Sequence, residues 1–316
     1  MNDFMLTTPV AFIIFNRPDT TARVFAEIAK ARPPRLLVVG DGARANRPDE
    51  AERVAATRAI INAVDWPCTV ETNFSETNLG CKQRVSSGID WVFERVEEAI
   101  ILEDDCLPEP SFFRFCQEML ERYRADKRIG MISGDNFQDG HQRNGDSYYF
   151  SRYSHIWGWA SWRDRWQDSY DVNLTIWPLL RDQGWLKDAL GSAIEAKVWS
   201  SLFDRMHAGQ IDTWDFQWVC ANFVHSRLVI LPNVNLISNI GFGDGATHTT
   251  HVSELANMPV TPMNFPLTHP RVMVRDARAD LRTFHSQFHV PFHLKVFRKL
   301  RKLLGGMSFR TSTKSV

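Results

Sequence analysis

The chain has little cysteine, no surplus of charge of either sign and no long hydrophobic run. Its five cysteines, Cys68, Cys81, Cys106, Cys116 and Cys220, are an odd number without a CxxC pair. Disulfide frameworks and structural zinc sites need closer, patterned spacing, so reduced thiols are expected. Lys plus Arg and Asp plus Glu each total 37, giving a formal net charge of zero. Binding a nucleic-acid backbone needs a basic excess, so no nucleic acid is expected as partner. No segment approaches the roughly 20 apolar residues that span a bilayer. The opening MNDFMLTTPVAFIIF has no basic stretch before its short apolar run, which breaks at Asn16-Arg17-Pro18, so a signal peptide is not expected. The expected location is cytoplasmic. No repeat, low-complexity tract or linker divides the chain.

What is present is alternation. VAFIIF (Val10 to Phe15), RLLVVG (Arg35 to Gly40), a stretch near Cys68 to Thr72, AIILEDD (Ala99 to Asp105) and IGMISG (Ile129 to Gly134) read as strands. Continuous apolar runs of this length suit parallel strands covered on both faces. Helical patterns fall between them, at Asp19 onward, about Asp49 to Val64, Leu79 to Val96, and Pro110 to Arg124 with proline in the first turn. Strands alternating with helices over the first ~135 residues predict a doubly wound α/β sheet. Ligands of such sheets sit beyond the carboxyl ends of the strands. Here those ends carry Asn16-Arg17, Asp41 and Glu103-Asp104-Asp105. The second half is less regular, with helices expected near Trp177 to Leu190, Ile194 to His207 and Asp215 to Ser226. The expected organisation is a single domain over 1–290, in two halves (1–135 and 136–290), followed by a tail, 291–316. From Leu294 onward that tail carries seven Lys or Arg, no acid, and apolar residues at helical spacing. It reads either as a solvated helix or as an interfacial helix at the anionic inner membrane.

Three carboxylates in a row at the end of an apolar strand are costly without a positive partner. Hard oxygen donors suit Mg²⁺ or Mn²⁺, which bind through one or two carboxylates plus substrate phosphates. The alternative is a solvated acidic turn. A second constellation, Asp212-Thr213-Trp214-Asp215-Phe216-Gln217-Trp218, sets Asp215 among aromatics at a helix start. It is either an N-cap or a general base for an attacking hydroxyl. A third, Gly241-Phe242-Gly243-Asp244-Gly245-Ala246-Thr247-His248, is a glycine-rich loop of the kind that approaches phosphate. Most of the eleven tryptophans lie between Trp157 and Trp218. Of these, Trp157 and Trp159 are candidate stacking surfaces for a sugar.

The stretch IILEDDCLPEPSFFRFC resembles the metal-binding segment of GT-A glycosyltransferases. It is similar to the EDD form found in N-acetylglucosaminyltransferase I and its relatives, and to family-2-like bacterial enzymes. VAFIIFNRPDTTARVF, the Asp41-Gly42 pair and NLGCKQRV (Asn78 to Val85) resemble further parts of the same pattern, which covers roughly the first 250 residues. The resemblance implies a GT-A, Rossmann-like fold with a mostly parallel central sheet and a helical acceptor-side second half. It implies a metal-dependent, inverting, hexosyltransferase-type enzyme of cell-surface polysaccharide or glycolipid synthesis. The donor would be a nucleotide sugar of the UDP type, the cofactor Mn²⁺ or Mg²⁺, and the acceptor a saccharide or glycolipid. Asp105 would ligate the metal, with His248 as a second ligand. Glu103 and Asp104 would approach the ribose or nearby donor groups, and Asn16, Arg17 and Asp41 would line the nucleobase pocket. Lys82 and Arg84, at a helix start, would pair with phosphate or remain solvated. The relatives carry another Asp where this chain has Phe216, which leaves the base between Asp215 and Asp212, with Asp215 favoured. Two rivals remain. One is a sugar nucleotidyltransferase, against which FNRPDTT lacks glycine after the first strand. The other is a non-catalytic saccharide-binding protein.

Overall fold

The structure, a computed structural model, describes residues 4–242 and 255–288. The tail 291–316, the loop residues Gly243 and Gly245, and the expected metal ligand His248 lie outside those residues.

The first half alternates as the sequence predicts. Strand β1 (Val10–Ile14) leads to α1 (Pro18–Ala31), β2 (Arg35–Gly40) to α2 (Glu50–Ala59), β3 (Thr69–Phe74) to α3 (Gly80–Arg95), and β4 (Glu98–Glu103) to a short β5 (Cys106–Pro108) and α4 (Ser111–Tyr123). Strand β6 (Ile129–Ser133) follows, then β7 (Tyr148–Ser151), β8 (Trp159–Trp162) and α5 (Arg163–Gln167). Helices α6 (Trp177–Asp182), α7 (Trp185–Leu190), α8 (Ala193–His207) and α9 (Asp215–Val224) precede β9 (Leu228–Pro232), β10 (Ile237–Asn239) and α10 (Ala277–Thr283).

One eight-stranded sheet runs in the order β3-β2-β1-β4-β8-β6-β9-β7. Strands β3, β2, β1, β4, β6 and β9 run one way; β8 and β7 run the other. The fold is therefore a mixed α/β sheet, mostly parallel. β1 and β6 are buried along their whole length, as strands covered on both faces must be. Alternate residues feed two cores. Val10, Phe12 and Ile14 pack with Val24, Ile28, Phe112, Phe115 and Met119 of α1 and α4. Ala11 and Ile13 face the other way, with Val85, Ile89 and Phe93 of α3 and a cluster of Trp159, Trp166, Trp214 and Trp218. A third core, around Trp177, Trp199, Phe203 and Phe223, holds the helices of the second half together.

The structure departs from the sequence reading in the second half. The single helix expected over Trp177 to Leu190 is two, because Gly184 between them adopts the left-handed conformation (φ +67°). The second half is helical as expected, yet it also gives β7, β8 and β9 to the central sheet. Trp159, a candidate stacking surface, is fully buried on β8 and stacks on Trp214 at 5.7 Å, so it belongs to the core.

The register aligns the carboxyl ends. Ile14 pairs with Gly40 and Ile13 with Glu103, so residues just past β1, β2 and β4 share one edge. Ile101 pairs with Trp159 at the start of antiparallel β8, which brings Ile156 and Trp157 to that same edge. Antiparallel pairing of β10 with β5 lays Asn239 and Gly241 against Asp105.

Candidate functional site

A cavity of about 540 Å³ opens at this edge. Arg17, Asp41, Arg84, Glu103, Asp104, Asp105, Asp212 and Asp215 all line it, with Arg44, Asn78, Cys81, Thr213, Trp157, Gly241 and Phe242. Residues from the ends of β1, β2 and β4 thus meet residues from the start of α9.

The acidic triplet is the floor. Asp105 Oδ2 accepts from Arg17 Nη1 at 2.7 Å, in an ion pair only 19% and 14% exposed. Arg17 can reach it because Pro18 starts α1 and leaves Arg17 at the N-cap position. Asp104 Oδ2 accepts from the Phe15 backbone N–H at 2.9 Å. Burial, then the charge of Asp105, pushes Asp104 up to about 7. Burial, followed by the charges of Asp105, Asp104 and Asp215, pushes Glu103 up to about 8. Its buried Oε1 has no hydrogen-bond partner among the described residues.

These residues fit a hard divalent cation by chemistry. The charges of Asp104, Asp105 and Asp215 raise the proton affinity of Glu103 in one cavity, and its buried Oε1 is left unsatisfied there. Among the described residues, no three His, Cys, Asp or Glu side chains are grouped to hold an ion by themselves. That is compatible with Mg²⁺ or Mn²⁺, whose shells are completed by water and substrate phosphate.

Asp41, expected at the nucleobase, is engaged by the protein. Its Oδ1 accepts from the N–H groups of Gly42 (2.9 Å) and Leu79 (3.0 Å); its Oδ2 accepts from Asn78 Nδ2 (2.9 Å) and Gly80 N–H (3.2 Å). It therefore ties β2 to the start of α3. Arg84 is likewise committed, donating to the Gly40 and Asn73 carbonyls and to Asn73 Oδ1, while burial lowers its pKa. Neither Asn16 nor Lys82 lines the cavity. Asn16 is buried and donates to Glu50, the partner of Arg44. Lys82 Nζ donates to Asn173 Oδ1 at 3.1 Å, across the two halves of the chain.

The two candidate bases are placed differently. Asp212 is exposed and accepts from the N–H groups of Cys81 (3.1 Å) and Lys82 (2.9 Å), so it caps α3. Asp215, at the start of α9, accepts from the Thr213 hydroxyl and acts electrostatically on Glu103 across the cavity. Trp157 and Phe242 meet edge to face at 5.7 Å and form an aromatic wall beside the acids.

The sequence reading gave no role to Arg44, Thr213 or Asp135. Arg44 lies near the Phe15 ring (5.7 Å) on the cavity wall and carries no motif. Asp135, two residues past β6, is a buried carboxyl whose Oδ2 accepts from Trp157 N–H at 3.0 Å, and burial raises its pKa strongly. Its position after an apolar strand was the same signal that marked Glu103 to Asp105.

Fold and cavity together define an α/β protein with an acidic, arginine-bearing pocket at the carboxyl edge of its sheet. No protein-family model matches the sequence, and neither does any curated protein. Among solved structures, the chain is similar to S. aureus TarS 1–349 at 8% identity and TM-score 0.40, covering 72% of this chain. It spans 58% of that TarS segment. It is similar to the galactosyltransferase LgtC, in complex with donor and acceptor sugar analogues, at 11% identity and TM-score 0.39, over 92% of this chain and 99% of that one. A UDP-glucose pyrophosphorylase complexed with UDP-glucose matches at 8% identity and TM-score 0.36, over 72% and 90%. At these values the functional assignment falls to this chain's own residues.

Proposed function

We propose that the chain is a metal-dependent, inverting glycosyltransferase that moves a sugar from a nucleoside diphosphate, of the UDP type, to an acceptor hydroxyl. One observation carries the reading: carboxylates from β4 and from α9 face each other across a cavity whose edge also holds Arg17. One group of acids belongs at the leaving diphosphate and the other at the incoming hydroxyl.

A divalent ion held by Asp105, with Glu103 nearby, would neutralise the charge that builds on the departing diphosphate. Arg17, now paired with Asp105, is placed to share that anion. Asp215, oriented by Thr213, takes the proton of the acceptor hydroxyl as it attacks the anomeric carbon. A single base opposite the leaving group gives one displacement and therefore inversion. Trp157 and Phe242 offer an apolar face to an acceptor sugar ring and help keep water from the reacting centre. The basic composition of segment 291–316 adds a role in surface polysaccharide or glycolipid synthesis to the proposal, with that segment as a peripheral contact for an anionic inner-membrane face. Among the described residues, no helix is long and apolar enough to cross a membrane.

The test is turnover of nucleotide sugars with Mn²⁺. Asp105→Ala is expected to abolish metal-dependent release of the nucleoside diphosphate. Asp215→Asn is expected to keep donor binding and lose about 10²–10⁴-fold in turnover, the usual scale of general-base catalysis. Pyrophosphate release from a nucleoside triphosphate and a sugar phosphate would instead indicate a nucleotidyltransferase.

A further inference from the structure

Asp212 and Asp215 lie three residues apart, yet their carboxylates serve different elements. The amides that open α3 are divided between two acids. Asp41, from the end of β2, accepts from Leu79 and Gly80; Asp212, from the loop between α8 and α9, accepts from Cys81 and Lys82. Those early amides have no partner within a helix and carry its positive end, so a carboxylate binds there firmly. Gly80 makes the approach feasible. Its φ is +79°, and a Cβ at that position would lie 2.8 Å from Asp212 Oδ2.

The consequence falls on the residue that follows. Thr213 donates its hydroxyl to Asp215 Oδ1, and Trp214 is fixed from the other side by stacking on Trp159 and by the Tyr170 hydroxyl on its carbonyl. Thr213 therefore sits between one anchor, the tryptophan cluster, and a second, Asp212 on α3. Lys82, from the same turn of α3, also donates to Asn173 of the second half.

We propose that Asp212 is a positioning residue: by docking its loop on the first turn of α3, it holds Thr213 where the hydroxyl orients the Asp215 carboxylate. The proposal rests on Asp215 being the base. It makes the link between the two halves of the molecule a condition for turnover while leaving donor affinity to the acids of β4.

The experiment compares full-length wild type with Asp212→Ala, Asp212→Asn, Thr213→Val and Asp215→Asn. Hydrogen exchange followed by mass spectrometry reads the peptides spanning 80–84 and 208–217. Hydrolysis of a panel of UDP-sugars with Mn²⁺ gives kcat and KM. Asp212→Ala should speed exchange in both peptides and lower kcat about 10²-fold, the cost of misplacing a catalytic group by about 1 Å, with KM within twofold. Asp212→Asn, whose carbonyl oxygen still accepts an amide, should recover part of both effects, and Thr213→Val should lower kcat with little change in exchange at 80–84. Wild-type exchange or wild-type kcat in Asp212→Ala, with Asp215→Asn inactive, overturns the positioning role alone. Wild-type kcat in Asp215→Asn overturns the base assignment instead. Should no UDP-sugar turn over, the exchange arm decides: unchanged protection of 208–217 in Asp212→Ala refutes the docking.

Discussion

His155 offers a sharp test of how the cavity wall is held. It precedes Ile156 and Trp157, which line the cavity, is 3% exposed, and packs against Phe137 at a tilt, with ring centroids 4.4 Å apart. Burial lowers its pKa from 6.5 to about 3. Between those values the unfolded chain binds a proton that the folded chain refuses, so stability must rise with pH across that window. At pH 5 the linkage amounts to about 2 kcal/mol of stability lost relative to pH 8. Buried Asp135 acts in the opposite sense, since its raised pKa makes the folded state the better proton acceptor. The readout is therefore the difference between wild type and His155→Phe, not the absolute slope. Urea denaturation of both proteins at pH 5 and pH 8 should show the wild type losing about 2 kcal/mol more than the variant on acidification. Identical pH dependence in the two proteins would refute the claim that His155 is buried and neutral.

Further outcomes follow from close contacts at the edge of the sheet. In Gly241→Ala the new Cβ would fall 2.0 Å from Asp105 Oδ2 and 2.6 Å from Arg17 Nη1, so the ion pair must part. Thermal melting should show a loss of about 1–3 kcal/mol, typical of overpacking, and UDP affinity in Mn²⁺ should fall at least about tenfold, a change of 1.4 kcal/mol. Asp41→Asn removes a carboxylate that accepts from four donors and should cost about 1–3 kcal/mol in denaturant unfolding. If Asp41 were chiefly a nucleobase contact, that variant would lose affinity without losing stability.

Much of the first half was legible because its signals are local. Continuous apolar runs mark β1, β2, β4 and β6, and the polar residues just after them mark the edge where the cavity forms. The second half was harder because its placement is decided by distant pairing. Strand β8 is a four-residue segment, WASW, whose strand character comes from lying between β4 and β6. Strand β7 pairs with β9, some 80 residues away in sequence. Side-chain roles were legible in type and not always in use. The sequence shows that Asp41, Asp212 and Asp215 are acids near one site, whereas hydrogen bonds to backbone amides of α3 distinguish two clamps from a candidate base. Asn16 and Lys82 were drawn to the site by proximity in sequence; in the fold their polar atoms turn toward Glu50 and Asn173.

The account depends on Asp105 and its neighbours gripping a divalent cation together with a nucleoside diphosphate. Isothermal titration of UDP and GDP into wild type and Asp105→Ala, each with and without Mn²⁺, measures this directly. The expected result is Mn²⁺-dependent binding of one nucleotide to the wild type, weakened by about a hundredfold or more, 2.7 kcal/mol, in Asp105→Ala. Equal binding to both proteins, or no binding that depends on Mn²⁺, would contradict it.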